Sequence, residues 1–335
     1  MRTTIQAHVQ DYLTDTHIDR GTREFLKVIN ADGPPLESLS KEDARNVLVD
    51  AQASIKVDMS GIEESEKTIH ADGHTIKLNL VRPKGASGKL PVFIFIHGGG
   101  WILGDYPTHK RMVRDLVVLS GCAAVFVNYT PSPEAQFPVA INEIYAATKW
   151  VAEHGDEINV DGKSLAVAGN SVGGNMAAVT ALMAKEKGGP KIKFQLLLWP
   201  VTDASFSQES YQTYGAQRFL TTPIMDWMWD QYTTDDKEKN STYASPLQAS
   251  VDQLKGLPPA LIQVAENDIL RDEGEAYGRK LDEAGVIVTT TRYNGMIHDF
   301  GLLNALAELP TTRSMFEHAA AELRKYLKQQ PLVII

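Results

Sequence analysis

Four short apolar runs constrain this chain most: "LPVFIFIH" (90–97), "AAVFVNY" (123–129), "SLAVAG" (164–169) and "IKFQLLLWP" (192–200). None alternates with polar residues, so none leaves a face for water. This is the pattern of strands buried on both sides. Between them lie stretches with apolar residues at helical spacing: "HKRMVRDLVVLSG", closed by Gly121, then "VAINEIYAATKWVAEHG" and "GGNMAAVTALMAKEKGG". Further on come the strand "ALIQVAEND", the helix "EGEAYGRKLDEAG", the strand "VIVTTTRY" and a final helix near 311–329. Alternation of this length predicts an α/β fold, a mostly parallel sheet with helices on both faces.

Upstream the pattern differs. "EKTIHADGHTIKLNLVRP" holds two alternating runs around Asp72-Gly73, a hairpin signal. Residues 1–60 are polar and broken, with "GPP" at 33–35 and a helix start at "SLSKEDARNVL", where Ser40 and Asp43 fit a capping box. Residues 201–245 interrupt the alternation with Phe206, Tyr211, Tyr214, Phe219, Trp227, Trp229 and Tyr232. They are expected to form a helical insertion over the strand C-termini, where open α/β sheets bind ligands. The expected organisation is thus residues 1–60 as the N-terminal part of a helical cap, 61–200 and 246–335 as the α/β core, and 201–245 as the inserted cap segment.

Composition narrows the partners. With 43 % hydrophobic residues the chain can build a sizeable core. A net charge of −9 argues against nucleic acid or an anionic membrane surface. No stretch approaches the roughly 20 apolar residues of a membrane span, and "PLVII" at the C-terminus is far too short. The N-terminus lacks a signal-peptide run, so the cytoplasm is the expected location. The single cysteine, Cys122, reads as a buried small hydrophobe.

Chemistry enters with "GNSVGG" (169–174), between the strand "SLAVAG" and the helix after it. Gly169-Asn170-Ser171-Val172-Gly173 fits G-x-S-x-G, the turn that presents a serine on a strained backbone. Glycines two residues either side remove side chains that would collide, and Gly174 lets the helix pack closely. Alone, the pentapeptide also fits a phosphate-binding or simply tight turn. "HGGGW" (97–101) follows the first buried strand, and its glycines free backbone N–H groups of the kind an oxyanion needs. His97, among glycines and ahead of the serine, reads as a structural hydrogen-bonder.

An acid and a base follow in order. Asp268 ends "ALIQVAEND", and His298 lies in "NGMIHDF" after the next strand. Both are expected at the sheet edge that carries Ser171. Three carboxylates compete with Asp268. Glu266 is expected deeper on the same strand face, Asp272 is explained by the helix dipole, and Asp299 is expected to point away from the adjacent base. His70 and His74 flank the hairpin. His109, His154 and His318 lie in helical patterns, and His8 and His17 in the polar N-terminal region. No cluster has metal-ligand spacing.

Together "HGGGW", "GNSVGG", "END-ILRDEG", "IHDF" and "NYTPSPEAQFPVAINE" resemble the hormone-sensitive-lipase-like carboxylesterases (bacterial family IV) of the α/β-hydrolase superfamily, over roughly residues 65–335. The resemblance implies an α/β-hydrolase fold with an eight-stranded sheet, a helical cap, and hydrolysis of short-chain esters without cofactor or metal. It assigns Ser171 as nucleophile, His298 as base, Asp268 as its orienter, and the N–H groups of Gly99, Gly100 and Val172 as oxyanion donors. Trp101, Phe219, Trp227 and Phe300 are expected around the substrate pocket. The expected partner is a small-molecule ester, with no nucleic acid and no membrane span, and a homodimer among the states allowed. Asn170 stands where the family usually has Asp, Val172 where it often has Ala, and "YTPSPE" where a "YRLAPE"-like run is usual. An amidase or peptidase with the same triad is the nearer alternative, and a non-catalytic binding protein on this scaffold the more distant one.

Overall fold

The sequence pattern turns into one eight-stranded sheet in the computed structural model, which describes residues 11–31 and 33–328. His8 and "PLVII" therefore lie outside the described residues. The strands are β1 (Ile62–Ala71), β2 (His74–Pro83), β3 (Leu90–Ile96), β4 (Ala123–Asn128), β5 (Val160–Asn170), β6 (Phe194–Leu198), β7 (Ala260–Asn267) and β8 (Val288–Ile297). Their order is β1-β2-β4-β3-β5-β6-β7-β8. β1–β2 and β2–β4 pair antiparallel, and every other neighbouring pair is parallel.

The helices are α1 (Arg20–Ile29), α2 (Lys41–Ala53), α3 (Tyr106–Ser120), α4 (Val139–His154), α5 (Val172–Glu186), α6 (Glu209–Tyr214), α7 (Thr222–Tyr232), α8 (Asp236–Lys239), α9 (Val251–Leu254), α10 (Arg271–Glu283) and α11 (Pro310–Leu327). They cover the sheet on two sides, and the alternation of side chains along each strand divides the core accordingly. Ile94, Ile96, Val125, Leu165, Val167 and Leu197 join the α4–α5 side. Phe93, Phe95, Phe126, Ala168 and Leu198 face the α3–α11 side. Cys122 is buried and unpaired. None of the described helices is long and apolar enough to cross a membrane.

The hairpin closes at Asp72-Gly73, where Ala71 pairs with His74 and both turn residues have positive φ (47° and 83°). At α2, the Ser40 side chain accepts the Asp43 N–H, but Asp43 then takes the Ser40 hydroxyl rather than the Ser40 N–H. Aspartate is one methylene short for the reciprocal bond of a capping box.

The N-terminal segment and the 201–245 stretch meet each other. The buried pair Arg218–Asp15 (3.0 Å), the Asn30 Nδ2 bond to the Gln217 carbonyl and the Phe25–Phe219 ring contact join them. A second anchor was not visible in sequence. Glu273 of α10 is buried and accepts the Thr202 N–H (2.6 Å) and the Tyr211 hydroxyl (2.9 Å). Burial holds its carboxyl well above the usual carboxylate range despite these donors.

Candidate active site

Ser171 sits between the end of β5 and the start of α5 with φ 55° and ψ −123°, a strained conformation for a side-chain-bearing residue. The surrounding packing leaves the chain no easier path. A Cβ on Gly173 would overlap the Ile96 carbonyl, and one on Gly169 the Gly173 carbonyl. A Cβ on Gly174 would lie 2.9 Å from Pro200 Cβ, so this glycine sets the approach of α5 to the turn after β6. Ser171 donates its N–H to the Leu198 carbonyl (2.9 Å), tying the turn to the neighbouring strand.

His298 follows β8 and is buried. Its Nε2 lies 3.0 Å from Ser171 Oγ and its Nδ1 lies 2.8 Å from Asp268 Oδ2. An aspartate carboxylate accepts, so Nδ1 carries the proton and Nε2 is left to accept from the serine hydroxyl. Asp268 also accepts the Leu270 N–H (3.0 Å), which fixes its carboxyl beyond the end of β7. Burial pushes the His298 pKa down, but the charges of Asp268 and Asp299 outweigh it, and the net shift is upward from the ordinary histidine value.

Two of the three rival carboxylates are engaged elsewhere. β8 bulges opposite Glu266, which accepts the Gly295 N–H (2.8 Å) and contacts His17 Nδ1 (3.1 Å). Asp272 accepts from Ser210 N–H and Arg271 Nε. Asp299 departs from expectation. A positive φ of 57° turns its carboxyl inward, and Oδ2 comes within 3.8 Å of His298 Nε2. The loop that carries His298 is further held by Arg111 of α3, whose Nη2 donates to the carbonyls of Gly301 and Leu302.

The glycine loop after β3 lies beside this group. Gly99 and Gly100 have φ of 101° and 63°. A Cβ on Gly99 would strike the Leu103 carbonyl, and one on Gly100 would strike Met228 of α7. Among the described residues neither N–H donates a hydrogen bond within the protein, so both remain for a ligand. Val172 opens α5, where an N–H has no intrahelical acceptor and the helix dipole favours negative charge. His97 is buried, stacks on Tyr129 (4.2 Å) and places Nδ1 2.8 Å from the Gly98 carbonyl. Burial lowers its pKa to about 4, which leaves it neutral.

The four expected pocket side chains separate. Trp101 has no exposed surface and stacks on Tyr232 (4.1 Å) with Trp229 alongside (4.7 Å). Phe300 is also fully buried, against Trp199 and Tyr293 on the α3–α11 side. Both are core side chains rather than walls, because neighbouring aromatics cover their rings. Phe219 packs on Phe25, and Trp227 of α7 remains half-buried. Among the described residues no three His, Cys, Asp or Glu side chains gather as a metal set.

A family model for the α/β hydrolase fold matches residues 93–302. This chain is a carboxylesterase of the α/β-hydrolase superfamily. It is 35 % identical to carboxylesterase NlhH of Mycobacterium tuberculosis, over 78 % of this chain and 82 % of that one. It is 32 % identical to an ethyl acetate hydrolase of Pseudomonas putida, over 82 % and 87 %. Among solved structures, a thermostable esterase from Pseudomonas putida shares 61 % identity and superposes with a TM-score of 0.93, covering 94 % of this esterase and 99 % of its own chain.

Proposed function

We propose that Ser171, His298 and Asp268 are the catalytic triad of this esterase, that Gly99, Gly100 and Val172 donate to the oxyanion, and that the substrates are short-chain acyl esters. The observation that carries the reading is the continuous Ser171 Oγ–His298–Asp268 array at the N-terminus of α5. As Ser171 Oγ bonds to the ester carbonyl carbon, its proton passes to His298 Nε2 and the carbonyl π pair moves to oxygen. The three N–H groups receive that oxygen's charge. When the carbonyl re-forms, the alcohol leaves with the proton from Nε2, and the acyl group stays on Ser171. Water then attacks the acyl-enzyme with His298 again taking the proton, releasing the acid and restoring the serine.

Short acyl chains are favoured by the close covering of the site. Met228 of α7 lies against Gly100, one of the proposed oxyanion donors, which sets a side chain of the 201–245 segment close to the site. The similarity to the ethyl acetate hydrolase of Pseudomonas putida supports the same class. The residues 1–60 and 201–245 act in this reading as the two parts of one cap, supported by the contacts between them.

The test combines two experiments. Chromogenic esters of increasing acyl length, run beside a matching anilide, are expected to show turnover of C2 to C8 esters and little of the anilide. Higher kcat/KM on C16 than on C4 would remove the short-chain assignment, and efficient anilide cleavage would favour an amidase. An organophosphonate is expected to add once, at Ser171. Peptide mapping to another serine, or equal labelling rates in His298→Ala, would remove the triad assignment.

A further inference from the structure

The amide of Asn170, the residue before the nucleophile, joins three loops that come from distant parts of the chain. Asn170 is fully buried at the end of β5. Its Oδ1 accepts the Gly98 N–H (3.0 Å), at the root of the glycine loop after β3. Its Nδ2 donates to Asp299 Oδ1 (2.9 Å), in the loop after β8. The indole Nε1 of Trp199, just beyond β6, donates to the same oxygen (2.6 Å). The other oxygen, Asp299 Oδ2, is the one 3.8 Å from His298 Nε2.

We propose that Asn170 is a positioning residue for ester hydrolysis: its amide clamps the glycine loop to the base loop and turns the Asp299 carboxylate toward the imidazolium formed during the reaction. The proposal rests on the triad reading above. Neither side chain exchanges a proton with substrate. The serine proton still moves to His298 Nε2, and Asp299 contributes only its charge beside that nitrogen.

Residue chemistry at position 170 is demanding for this reason. The site needs one acceptor for Gly98 and one donor for Asp299, which a primary amide supplies from a single group. Aspartate in its place would have no donor. Next to Asp299 it would bring two carboxylates within contact distance, a pair that cannot both stay charged at low cost. The amide therefore belongs with the aspartate that follows His298. The charged groups that face His298 are Asp268, beyond β7, and Asp299, in its own loop.

Three variants test the clamp on a short-chain chromogenic ester, with Ser171→Ala as reference. Asn170→Ala and Asn170→Asp are expected to lose about 10- to 100-fold in kcat while KM changes less than about threefold, the mark of an interaction used in the transition state. Asp299→Asn keeps an acceptor for both Asn170 and Trp199, so it preserves the packing and removes the charge. Its acid limb in the kcat/KM profile is expected to move to lower pH by at least about half a unit. If the Asn170 variants do not fold by near-ultraviolet circular dichroism, the Asp299→Asn profile decides alone. Wild-type kcat in folded Asn170→Asp, or an unmoved acid limb in Asp299→Asn, would overturn the proposal. Activity that survives Ser171→Ala would instead overturn the triad reading, so the two failures are separable.

Discussion

The hairpin turn at Asp72-Gly73 and the turn at Ser171 both take positive φ, and they are held there by opposite means. In the hairpin, Asp72 and Gly73 take positive φ because a two-residue connection between twisted strands requires it. A Cβ on Gly73 would meet nothing within 4 Å. The constraint is local, and a side chain there would lose only dihedral energy. At Ser171 the positive φ is imposed from outside. β3, the turn after β6 and the first residues of α5 all press on the bend, and Gly169, Gly173 and Gly174 each face backbone or ring atoms. The backbone of the first turn is set within the hairpin, whereas that of the second is set by the whole sheet edge.

The widest gap between the two turns is catalytic. Asp268→Asn should lower kcat about 10³- to 10⁴-fold with little change in KM, because the imidazole loses its oriented tautomer and its counter-charge. The same substitution in the hairpin, Asp72→Asn, removes an exposed contact with Lys149 and should leave kcat within about twofold. Steady-state kinetics on thermally checked samples measures both. Near-wild-type turnover in Asp268→Asn would erase the distinction where it is expected to be greatest.

Next comes stability. Gly173→Ala forces a methyl group into the Ile96 carbonyl and should destabilise the fold by at least about 3 kcal/mol. Gly73→Ala should cost about 1–2 kcal/mol, the ordinary penalty of a left-handed residue with free space around it. Equal losses in urea unfolding would mean that the two turns are constrained alike.

The pH dependence bears on the turn at Ser171 alone, through its proposed base. His298 must be neutral to accept the serine proton, and its pKa is raised in the fold. The acid limb of kcat/KM should therefore lie above the ordinary histidine value of 6.5. For stability the sign reverses. The protonated His298 paired with Asp268 supports the fold below that ordinary value, and this support is lost as pH rises through the folded pKa. An acid limb below 6.5 would mean that burial, rather than Asp268 and Asp299, dominates the imidazole.

What was legible in the sequence follows the same division. The hairpin was readable because Asp72-Gly73 carries its own reason. The strand–turn–helix setting of Ser171 was readable because buried strands and amphipathic helices announce themselves by periodicity, and because glycines mark the collisions. The order of Asp268 and His298 along the chain was readable from the strand ends. Asn170 and Asp299 were not, since 129 residues separate them and neither has a local signature for the other. Glu273 was hidden in the same way, because its partners Thr202 and Tyr211 lie across a break in the pattern. The expectation for Trp101 and Phe300 failed on a similar point. An aromatic near a site in sequence says nothing of which rings will cover it.

The contact of Met228 with Gly100 has a consequence for how such enzymes diversify. α7 lies against the glycine loop itself, and Trp101, the next residue along, is clasped by Trp229 and Tyr232 of the same helix. Specificity and rate are therefore not independent parts here. A graft that exchanged residues 201–245 for those of another esterase would also replace the floor on which the glycine loop rests. A working chimera would have to transplant loop and helix together.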